Sequence, residues 1–438
     1  VTPTAGPPWP ASALFGSRGL EIGGLTAEEL AAEHGTPLFV ADEDDVRARC
    51  RAFASAFPRA LYAVKAFTAR RLLQAASEEG LGLLASTGGE LAACLRAGAD
   101  PARIAMHGNN KSEAEIELAV RSGVGLISID HLGEVARVDA AAAAAGVVQP
   151  VLVRVIPGVT AGTHSFIETG ELDSKFGTPI AGGMALVAVG AALAAPNLVF
   201  RGLHAHIGSQ ILSEKPYART IEVVFDLVRS IRDELSAAVD VLDVGGGFGV
   251  RYTDEEPWPT ADVAAAILGD VAGAARAGGL AVPEVVVEPG RAIVANAALT
   301  LYRVGTVKET PGVTTFVAVD GGMSDNIRPM LYGARYTIGP AGPPRPGPAV
   351  SVTVVGKHCE TSDILARDAT LPWAPRRGDL LAVAATGAYS YSMASNYNRL
   401  GRPAVVGVRD GVATLWLRRE TDEDLDRLEV GPPPGSAP

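Results

Sequence analysis

Residues 61–129 read LYAVKAFTARRLLQAASEEGLGLLASTGGELAACLRAGADPARIAMHGNNKSEAEIELAVRSGVGLISI. Short apolar, β-prone runs stand at Leu61–Lys65, Leu81–Ala85, Arg103–Met106 and Gly125–Ile129. The stretches between them, Thr68–Glu79, Gly89–Ala97 and Ser112–Ser122, have helical character, and Ser112 followed by Glu115 is a capping-box start. Strands that alternate with helices predict parallel βαβ units. The rhythm runs on through strands at Val151–Val155, Gly202–His206, Val241–Val244 and Val285–Glu288, with helices at His131–Ala145 and Tyr217–Ala237. Eight such units predict a closed (β/α)8, TIM-like barrel, with a doubly wound open sheet as the alternative.

After Ala297 the rhythm changes. Thr300–Val307, Thr315–Val319, Val350–Val355, Leu380–Ala385 and Ala413–Leu417 are separated by turns, with Gly339–Pro348 as a turn-rich connection. This predicts a mostly β domain, a sandwich or barrel. The N-terminal segment has a strand of its own, Leu38–Val40, and can join that domain. The expected division is a barrel at 41–296 and a β domain from 1–40 and 297–438. The Pro-rich ends, 1–10 and 431–438, are expected to be poorly ordered.

Composition bounds the function. In 438 residues, hydrophobic residues make up 47% and charged residues 20%, which suits a large core and excludes global disorder. A net charge of -11 without a basic block argues against nucleic-acid binding. Cys50, Cys94 and Cys359 are an odd number at wide spacing, so neither a disulfide framework nor a metal cluster is expected, and a reducing cytoplasm is. The first 15 residues lack Lys and Arg and hold four prolines, so no secretory signal is expected. The uncharged run from Phe176 to Phe200 has the length of a membrane span, but Pro179, Gly182, Gly183, Pro196 and Asn197 interrupt it. Only Met184–Ala195 is left as a helix, and it has the length of a soluble-core helix.

In a barrel, chemistry collects where strands end and loops begin. Strand one ends in Lys65, within LYAVKAF. Burial there would disfavour the lysine's charge and make its amine nucleophilic, as an imine-forming lysine requires. A buried lysine paired with a carboxylate fits the pattern equally. Strand six ends in HAHIGSQ, where His204 and His206 share one face. They admit metal ligation, stacking on a ring, or a core role; no third His or acid cluster accompanies them, which argues against metal.

Strand seven runs into DVGGGFG, and the N–H groups of Gly245, Gly246, Gly247 and Gly249 can converge on an anion. Strand eight runs into EPGR, with Glu288, Gly290 and Arg291. Barrel loops after strands seven and eight often hold a phosphate, although an ordinary tight turn is the plainer reading. An amine, a phosphate nest and a carboxylate together suit pyridoxal phosphate, with the aldehyde on Lys65, the phosphate in the nest and the ring nitrogen on Glu288.

The motifs YAVKAF around Lys65, TGGEL at 87–91, HGNNKS at 107–112, HIGSQ at 206–210, GGGFG at 245–249 and EPGR at 288–291 occur in this order. SDNIRPMLYGA at 324–334, GKHCE at 356–360 and GAYSYSMASNYN at 387–398 follow. In these the chain resembles the pyridoxal-phosphate decarboxylases of the alanine-racemase-like fold (fold type III), and among them the diaminopimelate decarboxylase family, from about Gly35 to Val430. The resemblance implies pyridoxal 5'-phosphate as cofactor and decarboxylation of meso-2,6-diaminopimelate to L-lysine, the last step of lysine biosynthesis. It implies Lys65 as the Schiff-base lysine, His206 stacked on the ring, Ser209, Gly246 and Gly247 around the phosphate, and Gly290 and Arg291 also among the cofactor-binding residues. Glu288 would meet the ring nitrogen. Arg291, Arg328 and Tyr332 would hold carboxylates, Glu360 would read the distal amine, and Tyr389 would touch cofactor and substrate. Cys359 would be the proton donor. The family also implies a head-to-tail homodimer in which Cys359 and Glu360 act in the partner's site.

Two departures bear on the substrate. Leu84 stands where relatives usually show an Asp, and Cys359-Glu360-Thr361-Ser362-Asp363 lacks a Gly that relatives commonly have. The rival readings are a same-fold decarboxylase for ornithine, arginine or another carboxylated amino acid, a racemase in which Cys359 opposes Lys65, and a non-catalytic homologue. The loop Gly158–Gly177, long for a barrel, reads as a lid or a solvated excursion.

Overall fold

The structure is a computed structural model that describes residue 6, residues 8–159 and residues 174–431. It divides into two units, one of Asp44–Ala295 and the other of Val1–Glu43 with Asn296–Pro438.

In the first unit eight strands run in sequence: Arg59–Ala63, Gly82–Ala85, Ile104–Met106, Leu126–Ile129, Gln149–Ile156, Leu198–His204, Val241–Asp243 and Glu284–Val287. Each pairs in parallel with the next, and the eighth returns to the first through Val286 opposite Arg59 and Val287 opposite Ala60. That last pairing closes the sheet into a barrel. Leu61, Ala63, Leu84, Ala105, Leu126, Leu152, Val241 and Val286 fill its interior with apolar packing, so polar chemistry is confined to the strand ends. Leu84 belongs to this packing and is 2% exposed.

The helices around the barrel begin on local signals. Ser112 accepts a hydrogen bond from the Glu115 N–H at 3.3 Å and donates its own N–H to the Glu115 carboxylate at 2.9 Å, which starts Glu113–Ser122. Two strand ends differ from the sequence expectation. Strand one stops at Ala63, and Lys65 lies on a single 3-10 turn, Val64–Ala66. Strand six stops at His204, and His206 lies in the loop beyond, where its ring accepts the Gly246 N–H. The two histidines therefore do not share a strand face.

In the second unit the strand Leu38–Asp42 pairs antiparallel with Ala298–Thr310 and parallel with Ala404–Arg409, so the N-terminal segment lies inside the C-terminal sheet. One core, including Leu20, Ile22, Leu30, Val40, Leu299, Leu301 and Val406, draws on both segments. Ile338–Pro340, Ile364–Leu371 and Ala404–Arg409 are strands that the sequence reading passed over. Ile364–Leu371 has no simple alternation, because Asp368 takes a positive φ of 52° in mid-strand and shifts the register.

Of the N-terminal segment expected to be poorly ordered, residue 6 and residues 8–10 are described. Trp9 packs edge-on against Phe15 at 5.0 Å and against the core of this unit, which ties the segment down. The same expectation for 432–438 lies outside the described residues, as does most of the suggested lid, at 160–173. Among the described residues no helix is long and apolar enough to cross a membrane, and the apolar run near 176–200 holds the strand Thr178–Pro179, a 3-10 turn at Ala181–Gly183 and the α-helix Met184–Ala194.

Candidate active site

The ends of barrel strands three, six and eight meet at Glu288. Its carboxylate is 5% exposed, and its backbone N–H donates to the Gly245 carbonyl at 2.9 Å. This joins the eighth strand's loop to the glycine loop. A Cβ at Gly246 would lie 2.2 Å from the Glu288 carbonyl oxygen, and one at Gly247, whose φ is +95°, would lie 2.6 Å from the Gly208 carbonyl. Only glycine lets three loops come together this closely.

Beside the glycine loop, the Arg291 guanidinium donates to Ser209 Oγ at 2.8 Å and also to the Tyr252 hydroxyl. Tyr217 donates to the Gly246 carbonyl at 2.8 Å, and burial pushes its phenol far above the ordinary range. Ser209, Gly246, Gly247, Gly290 and Arg291 are thus one neighbourhood of N–H, hydroxyl and guanidinium donors, as an anion requires.

Lys65 is exposed, whereas Val64 and Ala66 are fully buried. The sequence argument that burial tunes this lysine is therefore corrected: the turn carries its side chain out of the packed interior. Its charge is felt by Glu90, Glu288, His107, His204 and His206. Glu90 accepts the Ser86 N–H at 2.7 Å, and burial raises its carboxyl.

The sequence reading set metal aside because no third His or acid stood near His204. The fold supplies both. His107, His204 and Glu288, from the ends of strands three, six and eight, have ligand atoms within 4.8 Å of one another. Neither imidazole is an ion partner of Glu288. Burial first, then the neighbouring charges of Arg154, Lys111 and Lys65, pushes His107 well below its usual range; burial, then His107 and Arg154, does the same to His204. Asp243, at the end of strand seven, accepts the Gly245 N–H at 2.8 Å and interacts electrostatically with Glu288. Burial first, then the Glu288 charge, raises it well above the carboxylate range; burial also raises Glu288, which Lys65, Arg154 and Asp243 pull only part of the way back.

His107, Asp243, Arg154, Glu90 and Tyr252 were not singled out from sequence. His107 and Asp243 sit at strand ends, so the same rule applied to every strand would have found them. Tyr252 lies beyond the glycine loop, and no sequence signal marks it.

In the second unit Arg328 is buried at the start of the short helix Arg328–Tyr332, its guanidinium over the rings of Tyr332 at 5.7 Å and Tyr336 at 6.0 Å. Cys359 is exposed, and its N–H donates to Asn398 Oδ1 at 3.0 Å. Glu360 accepts the Ser362 N–H at 3.2 Å and hydroxyl at 3.0 Å, which lowers its carboxyl. Ser362, where relatives commonly have Gly, is not among the positive-φ residues, so this departure costs no backbone strain. Asp363 holds the loop, accepting from His358 Nδ1 at 2.7 Å and from the Met323 N–H at 2.7 Å. Tyr389 has a φ of +60°, an uncommon conformation for a bulky residue and one that functional sites tend to hold.

The barrel's donors fit pyridoxal phosphate on chemical grounds. The glycine cradle has no room for a Cβ, an arginine and a serine stand beside it, and the buried Glu288 Oε1 has no aligned hydrogen bond among the described residues. Residues 43–295 match the pyridoxal binding domain of the pyridoxal-dependent decarboxylases, and that is the class to which fold and site assign this chain. It is 49% identical over 421 residues to the diaminopimelate decarboxylase of Mycobacterium tuberculosis H37Rv, covering 93% of this chain and 94% of the relative. The Bacillus subtilis enzyme of that name is 44% identical, covering 94% and 95%. The crystal structure of diaminopimelate decarboxylase from M. jannaschii with L-lysine superposes with a TM-score of 0.90 at 31% identity, covering 96% of this chain and 98% of that one. A lysine/ornithine decarboxylase from Vibrio vulnificus with putrescine gives 0.75 at 25% identity, covering 88% and 99%. The chain belongs to the diaminopimelate decarboxylase family.

Proposed function

We infer that this chain decarboxylates meso-2,6-diaminopimelate to L-lysine and carbon dioxide with pyridoxal 5'-phosphate. The observation that carries this is the meeting of an exposed amine, Lys65, a glycine cradle and a buried acid, Glu288, at one set of barrel strand ends. When bound, the cofactor supplies an electron sink for the pair left by the departing carboxylate.

The chain's own residues divide the remaining work. Lys65 holds the cofactor's aldehyde carbon. Ser209, Gly246, Gly247 and Gly290 take the phosphate, and the Arg291 bond to Ser209 favours the same role for this arginine over a substrate carboxylate. Glu288 would pair with the ring nitrogen, and His206, held on the Gly246 N–H, would stack on the ring. Arg328 and Tyr332 bind a carboxylate, for which a guanidinium is suited. Glu360, kept ionised by Ser362, binds the distal ammonium. Tyr389 would lie against cofactor and substrate, and Cys359 Sγ would deliver the proton that replaces the carboxylate.

We further read the enzyme as a cytoplasmic homodimer with shared sites, supported by three free cysteines and by the exposure of Cys359 and Glu360. Carbon dioxide release from meso-diaminopimelate, L-ornithine and L-arginine tests the substrate, and preference for either of the latter two would overturn it. Lys65→Ala is expected to lose all decarboxylation. Mixing Lys65→Ala with Cys359→Ala subunits tests the shared site, since only a shared site restores activity.

A further inference from the structure

His107, His204 and their supports have no part in the scheme above, yet they surround its buried acid. We propose that His107 and His204 are positioning residues for Glu288: two imidazoles whose nitrogens lie against one carboxylate oxygen and hold that carboxylate oriented toward the cofactor ring. The proposal rests on the reading of Glu288 as the partner of the ring nitrogen.

His107 Nδ1 lies 3.3 Å and His204 Nε2 3.4 Å from the same oxygen, Glu288 Oε1. The two rings are 4.3 Å apart between centroids. A neutral imidazole has one N–H and one acceptor nitrogen, so the other contact of His204 decides its tautomer. Ser128 Oγ is 3.3 Å from His204 Nδ1. A hydroxyl donated there leaves the His204 proton on Nε2, the nitrogen that faces Glu288. Behind it, the Ser128 carbonyl accepts from Lys111 Nζ at 2.8 Å, and Lys111 is paired with Glu134 at 3.0 Å, both side chains 1% exposed. The support is therefore rigid and fully buried.

The lack of charge on the rings is the point of the arrangement. A carboxylate buried among apolar groups takes up a proton, and a protonated Glu288 cannot pair with a cationic ring nitrogen. A lysine or arginine in contact would keep it ionised but would neutralise it. Two neutral donors stabilise the anion and leave its charge for the cofactor. The other groups facing Glu288 are Asp243, whose carboxyl burial raises well above its usual range, and the cations Arg154 and Lys65.

The test is the pH dependence of pyridoxal phosphate affinity, followed by the visible absorbance of the bound cofactor, in His107→Ala, His204→Ala, His107→Gln, His204→Gln and Glu288→Gln. Loss of a hydrogen bond to a charged group is expected to move the acid-side midpoint up by about one pH unit in each alanine variant. Glutamine keeps an N–H donor and is expected to restore the wild-type profile in any variant that melts normally. Alanine profiles that superimpose on wild type, while Glu288→Gln shifts, would overturn the clamp and leave the reading of Glu288 intact. An unshifted Glu288→Gln would overturn both. Stoichiometric Zn2+ binding that competes with the cofactor and is lost in His204→Ala would also overturn the proposal, since these residues would then be a metal site.

Discussion

Arg291 and Ser209, 82 residues apart in sequence, are joined by a 2.8 Å hydrogen bond beside the glycine loop. It links the loops after strands six and eight and sets a guanidinium next to a hydroxyl where an anion would sit. Arg291→Gln is expected to weaken pyridoxal phosphate binding roughly 10- to 100-fold, the worth of one charge-assisted hydrogen bond. Ser209→Ala, which removes a neutral partner, should cost less. Equilibrium dialysis against the cofactor measures both, and unchanged affinity in Arg291→Gln would return this residue to the substrate.

Gly246→Ala sets a methyl carbon 2.2 Å from the Glu288 carbonyl, a backbone atom that cannot rotate away. The expected outcome is destabilisation by about 1–3 kcal/mol from overpacking, with loss of retained cofactor. Thermal melting and cofactor content after gel filtration report the two effects separately.

Asp325 carries a pH dependence of the second unit. It is buried and accepts the Gly322 N–H at 2.9 Å, and burial raises its carboxyl from 3.8 to about 6. The folded state therefore binds this proton more tightly than the unfolded chain does. Its contribution is fully present below about 4, is lost as pH rises to about 6, and is level above that. The loss amounts to about 3 kcal/mol. Asp325→Asn keeps an oxygen for Gly322 and has no charge to bury, so it is expected to be more stable than wild type at pH 7.5. Urea unfolding at pH 4.5 and 7.5 measures this; an equal pH difference in variant and wild type would refute it.

The three cysteines should separate by reactivity. Burial pushes Cys50 and Cys94 up to about 12, whereas Cys359 is exposed. Iodoacetamide on the native protein is expected to alkylate Cys359 alone and to abolish decarboxylation, with peptide mass spectrometry reading the site. Activity that survives full alkylation of Cys359 would remove it as proton donor.

The sequence by itself determined a parallel α/β unit, because short apolar runs and helical runs in alternation have few ways to bury their apolar faces, while closure of the sheet came from the pairing of strand eight with strand one. It also determined Lys65, the GGGFG cradle and EPGR, since each sits directly after a strand it can be counted from. Only the tertiary structure decided what Glu288 touches. His107, His204, Asp243 and Arg154 come from strands scattered over the barrel sequence, and barrel closure rather than spacing brings them within reach of one carboxylate. Likewise Leu38–Asp42 finds its sheet partners about 260 and 370 residues later, a pairing that no local periodicity encodes. Short-range sequence records which face of an element is apolar; which charged groups come to share one dry interior is set by the closure of the whole sheet.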